Sequence, residues 1–470
     1  MARPPLLFCL CATLGACTLG PDYARPPDEV PAAFTAAAST EPVLPTTPWW
    51  LTLNDPLLDQ LIDKARRANP DVARAKAAVA EARAALALAE GGGAPQLNGS
   101  AALNYGRSFT APGYYGRALG YTTAGFDASW EIDLWGRARR TVEAASANAE
   151  SVVAEADDAM LTLLGDVART YVELRGTQSQ IAATRLAIEN QRRATGLAAR
   201  RFDGGDGSRL DVLQGETLYL QQQSQLPLLE AQAKISIHAI STLCGEPPES
   251  LTARLEPGGP VPQGPVPAAG IPADLLRRRP DVRAAERQLA ATTAMIGAAI
   301  ADKYPSLSLS GSLSLSGSSV GSMLALPLFA LAPAIKLPIL DGGRRDAVVD
   351  IRKAQAEQAR FAYRTAVLKA LREVEDAITK LQGETRHRDQ VKLTIGTAQR
   401  SVAVASNLYA LGATDFLQVL EAQKALNQGR DALAQAEAAR TIQVVALFKA
   451  LGGGWNVAPE QAEPRRIASR

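Results

Sequence analysis

Two long helix-forming stretches, Arg137 to Phe202 and Arg344 to Tyr409, limit what this chain can fold into. Neither contains a proline, and alanine, arginine, glutamate and glutamine, all good helix formers, fill most positions between the apolar ones. In the first stretch Met160, Leu164, Val167, Tyr171, Leu174, Gln178 and Ile181 alternate at spacings of four and three, a heptad seam with one polar position. Leu371, Val374, Ile378 and Leu381 carry the same spacing in the second. At ~1.5 Å per residue each helix would be roughly 100 Å long, so the helices are expected to pack along one another in an elongated bundle.

Composition narrows the class further. Aromatic residues make up only 5% of the 470 residues, so the core is expected to be built from Ala, Leu and Val at close helix contacts. The formal charge of +2 falls to +1 once Arg3 leaves with an N-terminal leader, and a chain so balanced offers no electrostatic case for nucleic acid as a partner. The leader itself reads as Arg3, an apolar run from Leu6 to Leu14 and then small residues, too short for a spanning helix. Its last residues, Leu14-Gly15-Ala16-Cys17, resemble a bacterial lipoprotein box, which makes Cys17 the lipid-carrying first residue of the mature chain; an ordinary leader with a chance cysteine is the alternative. Cys9 and Cys11 leave with the leader, Cys17 is modified, and Cys244 remains alone as a small core residue with no disulfide partner.

From Gly20 to Trp50 the sequence is proline-rich and without periodicity, an extended tether that docks at Trp49-Trp50. Asp55 caps a short helix to about Ala68, and a second runs from after Asn69-Pro70-Asp71 to about Glu90, where Gly91-Gly92-Gly93 and Pro95 stop it. Two stretches of period two follow. Leu97, Ala101, Leu103 and Tyr105 alternate with Asn98, Ser100, Ala102 and Asn104; Phe126, Ala128, Trp130, Ile132 and Leu134 alternate with Asp127, Ser129, Glu131 and Asp133. Each predicts a strand with two different solvents, near the ~9–11 residues of a tilted membrane-spanning strand, although a soluble sheet with one buried face has the same pattern. After the long helix, Gly204-Gly205-Asp206-Gly207 makes a turn, and a helix returns with Leu226, Leu229, Ala233, Ser236, Ile240 and Leu243 on one seam. Gly245 to Pro272, dense in proline and glycine, reads as a linker.

The remainder repeats this plan. Asn69-Pro70-Asp71-Val72 returns as Arg279-Pro280-Asp281-Val282 and Pro95-Gln96-Leu97 as Pro305-Ser306-Leu307, both 210 residues on. Gly136-Arg137 returns as Gly343-Arg344, Leu210-Asp211-Val212-Leu213 as Leu417-Gln418-Val419-Leu420, and Gly245 as Gly452, all 207 residues on. Duplication is the economical explanation. A second pair of alternating stretches falls where the repeat requires it: leucines 307, 309, 313 and 315 between serines, and Phe329, Leu331, Ile335, Leu337 and Ile339 alternating with Ala330, Ala332, Ala334 and Lys336, the last weakened by Pro333 and Pro338. The map that results is a signal peptide (1–16), a lipidated extended tether (17–50), a first repeat (51–245), a Pro/Gly linker (246–272), a second repeat (273–455) and a mobile tail (456–470). Strands are placed at about 96–109, 122–134, 306–318 and 329–340, long helices at 137–202 and 344–409, and return helices at 208–243 and 415–451.

Strands within a bilayer must close into a barrel, the smallest common barrels have about eight strands, and one chain supplies four. Two or three chains would have to contribute to one barrel. The lipobox, Trp49-Trp50, Asn69-Pro70-Asp71 with its repeat, Trp130-Glu131-Ile132-Asp133-Leu134-Trp135-Gly136-Arg137 and Ala450-Leu451-Gly452-Gly453-Gly454-Trp455 together resemble the TolC/OprM-type outer-membrane factors, in particular their lipoprotein (NodT-like) branch. The resemblance covers nearly the whole mature chain. It implies a mixed α and transmembrane β fold: a homotrimer with a twelve-stranded outer-membrane barrel, four strands from each chain, continued by a periplasmic α-helical coiled-coil barrel. The function it implies is a passive exit duct of a tripartite efflux pump, anchored in outer-membrane lipid and joined through a periplasmic adaptor protein to an inner-membrane pump of the RND type.

The same resemblance places a gate where the long helices hand over through glycine turns. Family members put acidic residues one turn apart after the second turn; this chain has Gln418 and Glu421, so Glu421 alone would supply charge. Three copies near one axis would favour cations, whereas a solvated glutamate on a helix flank is the plain alternative. Asp211 holds the equivalent place in the first repeat, and Tyr409 is positioned to bridge helices near the closed end. Thr414 stands where some members carry a basic latch residue. The turns at Gly204-Gly205 and Leu411-Gly412-Ala413 are similar to the family's contact sites for the adaptor tip.

Enzymatic signals are missing. His238 and His387 have no ligand partner at useful spacing, the tripeptide His387-Arg388-Asp389 lacks the rest of a kinase signature, and no nucleophile motif or phosphate loop leads into a helix. The readings that stay open beside the efflux duct are a protein-secretion outlet of the same fold, a periplasmic adaptor with long helical hairpins, and a trimeric coiled-coil adhesin.

Overall fold

The computed structural model describes residues 18–27, 30, 31, 33, 34, 48–107, 118–267, 272, 278–317, 322 and 327–453. Cys17, the expected leader (1–16) and the expected tail (456–470) lie outside the described residues. After a 3-10 turn at Trp49–Leu53, the elements run α1 (Pro56–Ala68), α2 (Pro70–Gly91), β1 (Gln96–Arg107), β2 (Ala118–Ile132), α3 (Arg137–Asp203), α4 (Arg209–Leu243), α5 (Thr252–Leu255), α6 (Pro280–Ala301), β3 (Ser306–Gly317), β4 (Leu328–Lys336), α7 (Arg344–Ala410) and α8 (Phe416–Ala450). The long helices α3 and α7 have 67 residues each, and the return helices α4 and α8 have 35 each. Among the described residues no helix is long and apolar enough to cross a membrane.

The chain forms two compact units. One comprises residues 1–27, 77–153 and 284–365; the other comprises 28–76, 154–283 and 366–470. The first unit holds the sheet, with strand order β1-β2-β3-β4 and every neighbouring pair antiparallel. The register decides which residues share a face. Leu97 lies opposite Ala128, Phe126 opposite Leu313, Trp130 opposite Leu309, and Leu307 opposite Ile335. The apolar residues just named therefore fall on one face across all four strands, and Asn98, Asp127, Ser129, the even-numbered serines 306–316 and Leu328 fall on the other. Within the unit nothing covers the apolar face: Leu103, Tyr105, Phe329 and Ile335 are 81%, 83%, 81% and 74% exposed. β4 stops at Lys336, short of the predicted 340, because Pro338 has no N–H for the ladder; β2 starts earlier than predicted and ends at Ile132, leaving Leu134 in a turn.

The predicted tether is not free at its start. Leu19 N–H donates to Trp135 O, and the buried Arg140 donates to Leu19 O and Asp22 Oδ1 at 3.2 and 2.7 Å, pinning this segment to the first unit. Gly20, at φ +90°, lies so close to Gly297 that any side chain there would collide with backbone.

In the second unit α3 is buried on more than its seam. Leu161, Leu163, Leu164, Val167, Ala168, Tyr171, Val172 and Leu174 are all buried, as a helix surrounded by others requires. Trp49, fully buried, stacks on Phe448 at 5.5 Å and meets Trp50 edge-on, so the tryptophan pair docks as its sequence predicts. Within the expected linker of Gly245 to Pro272, residues 251–262 form a strap held by α3 and α8. Gln178, the polar position of the seam, donates to Leu255 O at 2.7 Å; Arg175 donates to Pro257 O and to Gln178 Oε1, both at 2.8 Å; and Thr441 donates to Pro262 O at 2.9 Å. Arg175 also donates to the Tyr171 hydroxyl, which donates to Asp55 Oδ2, while Asp55 Oδ1 caps α1 through Leu57 and Leu58 N–H. The seam's polar residue thus completes a satisfied buried network rather than a weak point in it.

Candidate functional site

The two glycine turns of the second unit are built alike. At the end of α3, Gly205 N–H donates to Phe202 O and Asp206 N–H to Arg201 O; at the end of α7, Gly412 N–H donates to Tyr409 O and Ala413 N–H to Leu408 O. Gly205 and Gly412 have φ of +85° and +72°. This is the Schellman end, in which a residue in the left-handed region lets the chain reverse while the last carbonyls stay bonded. Gly204, Gly205, Leu411, Gly412 and Ala413 are all exposed.

Between the turns the structure brings Tyr409 and Asp211 together. Tyr409, on the last turn of α7, is only 2% exposed, and its hydroxyl donates to Asp211 Oδ2 on the first turn of α4 at 3.1 Å. Burial, then the Asp211 charge and hydrogen bond, pushes the phenol above its ordinary range, so it stays a proton donor at neutral pH. Its ring packs on Phe416 at 5.1 Å within a cluster of Ala194, Ala198, Val212, Val419 and Leu420. The guanidinium of Arg201 lies 4.6 Å from the ring centroid and donates to Tyr409 O and, at 3.1 Å, to Asp206 O. One side chain at the end of α7 is thus tied to α3, α4 and α8.

Arg201 and Phe416 were not singled out from the sequence. Arg201 lies in the last turn of α3, where a cation complements free carbonyls, but the residue 207 positions on is Leu408, so the recurring sequence pattern gives no signal. Phe416 could have been found as an aromatic seven residues beyond Tyr409, just across the turn.

Gln418 and Glu421 sit apart from this junction. Both are exposed on α8, one turn from each other, on a groove lined by Thr397, Arg400, Val404 and Leu408 of α7 together with Thr414. Glu421 makes no ion pair among the described residues. Nor do the described residues contain a group of three or more His, Cys, Asp or Glu side chains able to hold a metal. Phe202, the counterpart of Tyr409 207 residues earlier, is 39% exposed under the Arg209 guanidinium, so only one of the two turns buries its aromatic residue.

The model of the outer membrane efflux protein family matches residues 61–246 and 271–453. The chain belongs to that family. This outer membrane efflux protein is 34% identical over 453 residues to nodulation protein T of Rhizobium leguminosarum bv. trifolii, covering 94% of this chain and 96% of the relative. It is 32% identical over 460 residues to the pyoverdine export outer membrane protein OpmQ of Pseudomonas aeruginosa, covering 96% of each. Among solved structures, the outer-membrane channel OprN superposes with a TM-score of 0.87 at 33% identity over 93% of this chain and all of that one. CusC superposes at 0.83 with 26% identity over the same shares. The efflux protein is accordingly an outer-membrane channel protein.

Proposed function

We propose that three copies of this chain form the exit duct of a tripartite efflux pump. The observation that carries the proposal is the sheet: one face is apolar across all four strands and exposed, the other carries serine, asparagine and aspartate, and β1 and β4 are left as open edges. A sheet with open edges is excluded from hydrocarbon, so the edges must pair between copies. Three chains give a twelve-stranded barrel with lipid outside and water inside. The long and return helices of the two repeats, 51–245 and 273–455, continue the duct through the periplasm. Cys17 carries the lipid anchor, and the turns at Gly204-Gly205 and Leu411-Gly412-Ala413 receive the tip of a periplasmic adaptor coupled to an RND-type inner-membrane pump.

Transport through the duct is passive. The Tyr409–Asp211 bond and the Arg201 contacts hold the helix ends in a closed arrangement, the adaptor binds an open one better, and solutes then diffuse outward. Glu421, in three copies, biases the narrow end toward cations and neutral compounds. The similarity to a pyoverdine exporter and to cation efflux proteins supports small molecules rather than folded proteins as cargo. The test is the mass of the detergent-extracted complex by light scattering, with mass spectrometry of its mature N-terminus. Three chains per particle and a lipidated Cys17 are expected. A chain that stays monomeric and soluble without detergent contradicts the proposal.

A further inference from the structure

The polar face of the sheet carries one feature that neither the gate nor the barrel requires. On β1 and β3 it consists almost wholly of Asn, Ser and small residues, and on β4 of alanines between Leu328 and Lys336. On β2, Glu131 near the strand's end is paired with Arg137 at 3.0 Å. Asp127 lies at mid-strand, opposite Asn98 on β1 and Ser312 on β3. It is exposed, and no described residue gives it a hydrogen bond or an ion pair. Its neighbours Gly125 and Ser129 on the same strand face are small, so nothing screens the carboxylate from the space above the sheet.

We propose that Asp127 is a second determinant of charge selectivity in the duct, separate from Glu421 and lying within the barrel, where three copies disfavour anionic solutes and favour cationic and neutral ones. This rests on the barrel reading above. In a twelve-stranded barrel with strands ~4.8 Å apart and tilted by about 40°, the backbone lies roughly 12 Å from the axis. The Debye length is ~30 Å at 0.01 M salt, ~10 Å at 0.1 M and ~3 Å at 1 M. In dilute salt the three carboxylates therefore act across the whole lumen, and at 1 M only along its wall. Selectivity from Asp127 is lost at high salt, whereas selectivity from Glu421, at a narrow end, persists.

The experiment is single-channel reversal potential across a salt gradient, measured on the full-length lipoprotein opened by Tyr409→Phe with Asp211→Ala so that the closed end does not dominate. Between 0.01 and 0.1 M salt, Asp127→Asn lowers the cation-to-anion permeability ratio by about twofold or more, Asp127→Lys inverts it, and both differences vanish near 1 M. To guard against a variant that does not assemble, Asp127→Cys is treated after insertion with a charged, membrane-impermeant thiol reagent. Current changes stepwise, while Ala128→Cys, on the apolar face, does not respond. A working channel whose ratio is the same in Asp127→Asn at low salt, or one in which Asp127→Cys is unreactive, overturns the proposal and leaves the barrel standing. Absence of any channel in the parent protein overturns both.

Discussion

The hydroxyl of Tyr409 donates to the carboxylate of Asp211 at 3.1 Å, joining the last turn of one long helix to the first turn of a return helix 198 residues away in sequence. In the proposed gate, this bond is the contact that an opening motion has to break. Tyr409→Phe keeps the ring against Phe416 and removes only the hydrogen bond, worth about 1 kcal/mol, so the fold survives and the closed state loses its advantage. Cells carrying Tyr409→Phe with Asp211→Ala are expected to become sensitive to a large hydrophilic antibiotic that an intact outer membrane excludes. Unchanged sensitivity at equal protein levels would remove this pair from the gate.

The two return helices end in the same way against different side chains. Asn69 donates to Leu243 O at 2.9 Å, and Arg279 donates to Ala450 O at 3.1 Å while also binding Asp281 and Glu373 at 2.6 and 2.7 Å. Asn69→Ala removes a cap and is expected to cost about 1–2 kcal/mol. Arg279→Ala leaves the half-buried Asp281 without its partner, while Glu373 keeps Lys369 at 3.8 Å, and is expected to cost about 2–3 kcal/mol. Thermal unfolding followed by tryptophan fluorescence in detergent should rank them in that order.

Acid pH should separate two aspartates near Arg279. Burial, reinforced by the charge of Asp281, raises the Asp158 carboxyl, so its ionised form weakens the fold at neutral pH and the penalty disappears once it is protonated. Burial alone would raise Asp281 as well, but the hydrogen bonds and charge of Arg279 outweigh it and hold Asp281 below the usual range. Its contribution is present above the ordinary aspartate pKa and is lost as pH falls through the depressed value. Asp158→Asn should therefore raise the unfolding temperature at pH 7 more than at pH 4. Asp281→Asn should lower it at pH 7 and matter little in strong acid.

Cys244 is fully buried with its thiol directed at Leu61 O, and burial pushes its pKa up to about 11. It is expected to resist iodoacetamide at pH 8 in the native protein and to react once the chain is unfolded. Native labelling at the rate of a free thiol would contradict this placement.

The long helices were legible because nothing competes with a period near 3.6 over sixty residues. The strands were legible from strict alternation, and their shared apolar face follows once the register is known. The docked strap at 251–262 was not, since proline and glycine spell a free linker and a pinned one alike. The clue lay elsewhere, in Gln178 and Arg175 on an otherwise apolar face, whose buried donors needed acceptors. Of the candidate gate residues, Tyr409 and Asp211 meet, while Gln418 and Glu421 face a separate groove. Arg201 was illegible because its partner is a backbone carbonyl 208 residues away, and a residue of any type could have supplied that carbonyl. Gln178→Leu tests the strap directly: it leaves Arg175 and two carbonyls short of partners and should cost about 1–3 kcal/mol despite suiting the seam better.

The most direct test of the account is single-channel conductance of the purified protein in planar bilayers, wild type against Glu421→Ala. A small cation-selective conductance that grows or loses selectivity in the variant is the predicted result. A protein that forms no channel, and that stays in solution without detergent once Cys17 is replaced, would contradict the account at its centre.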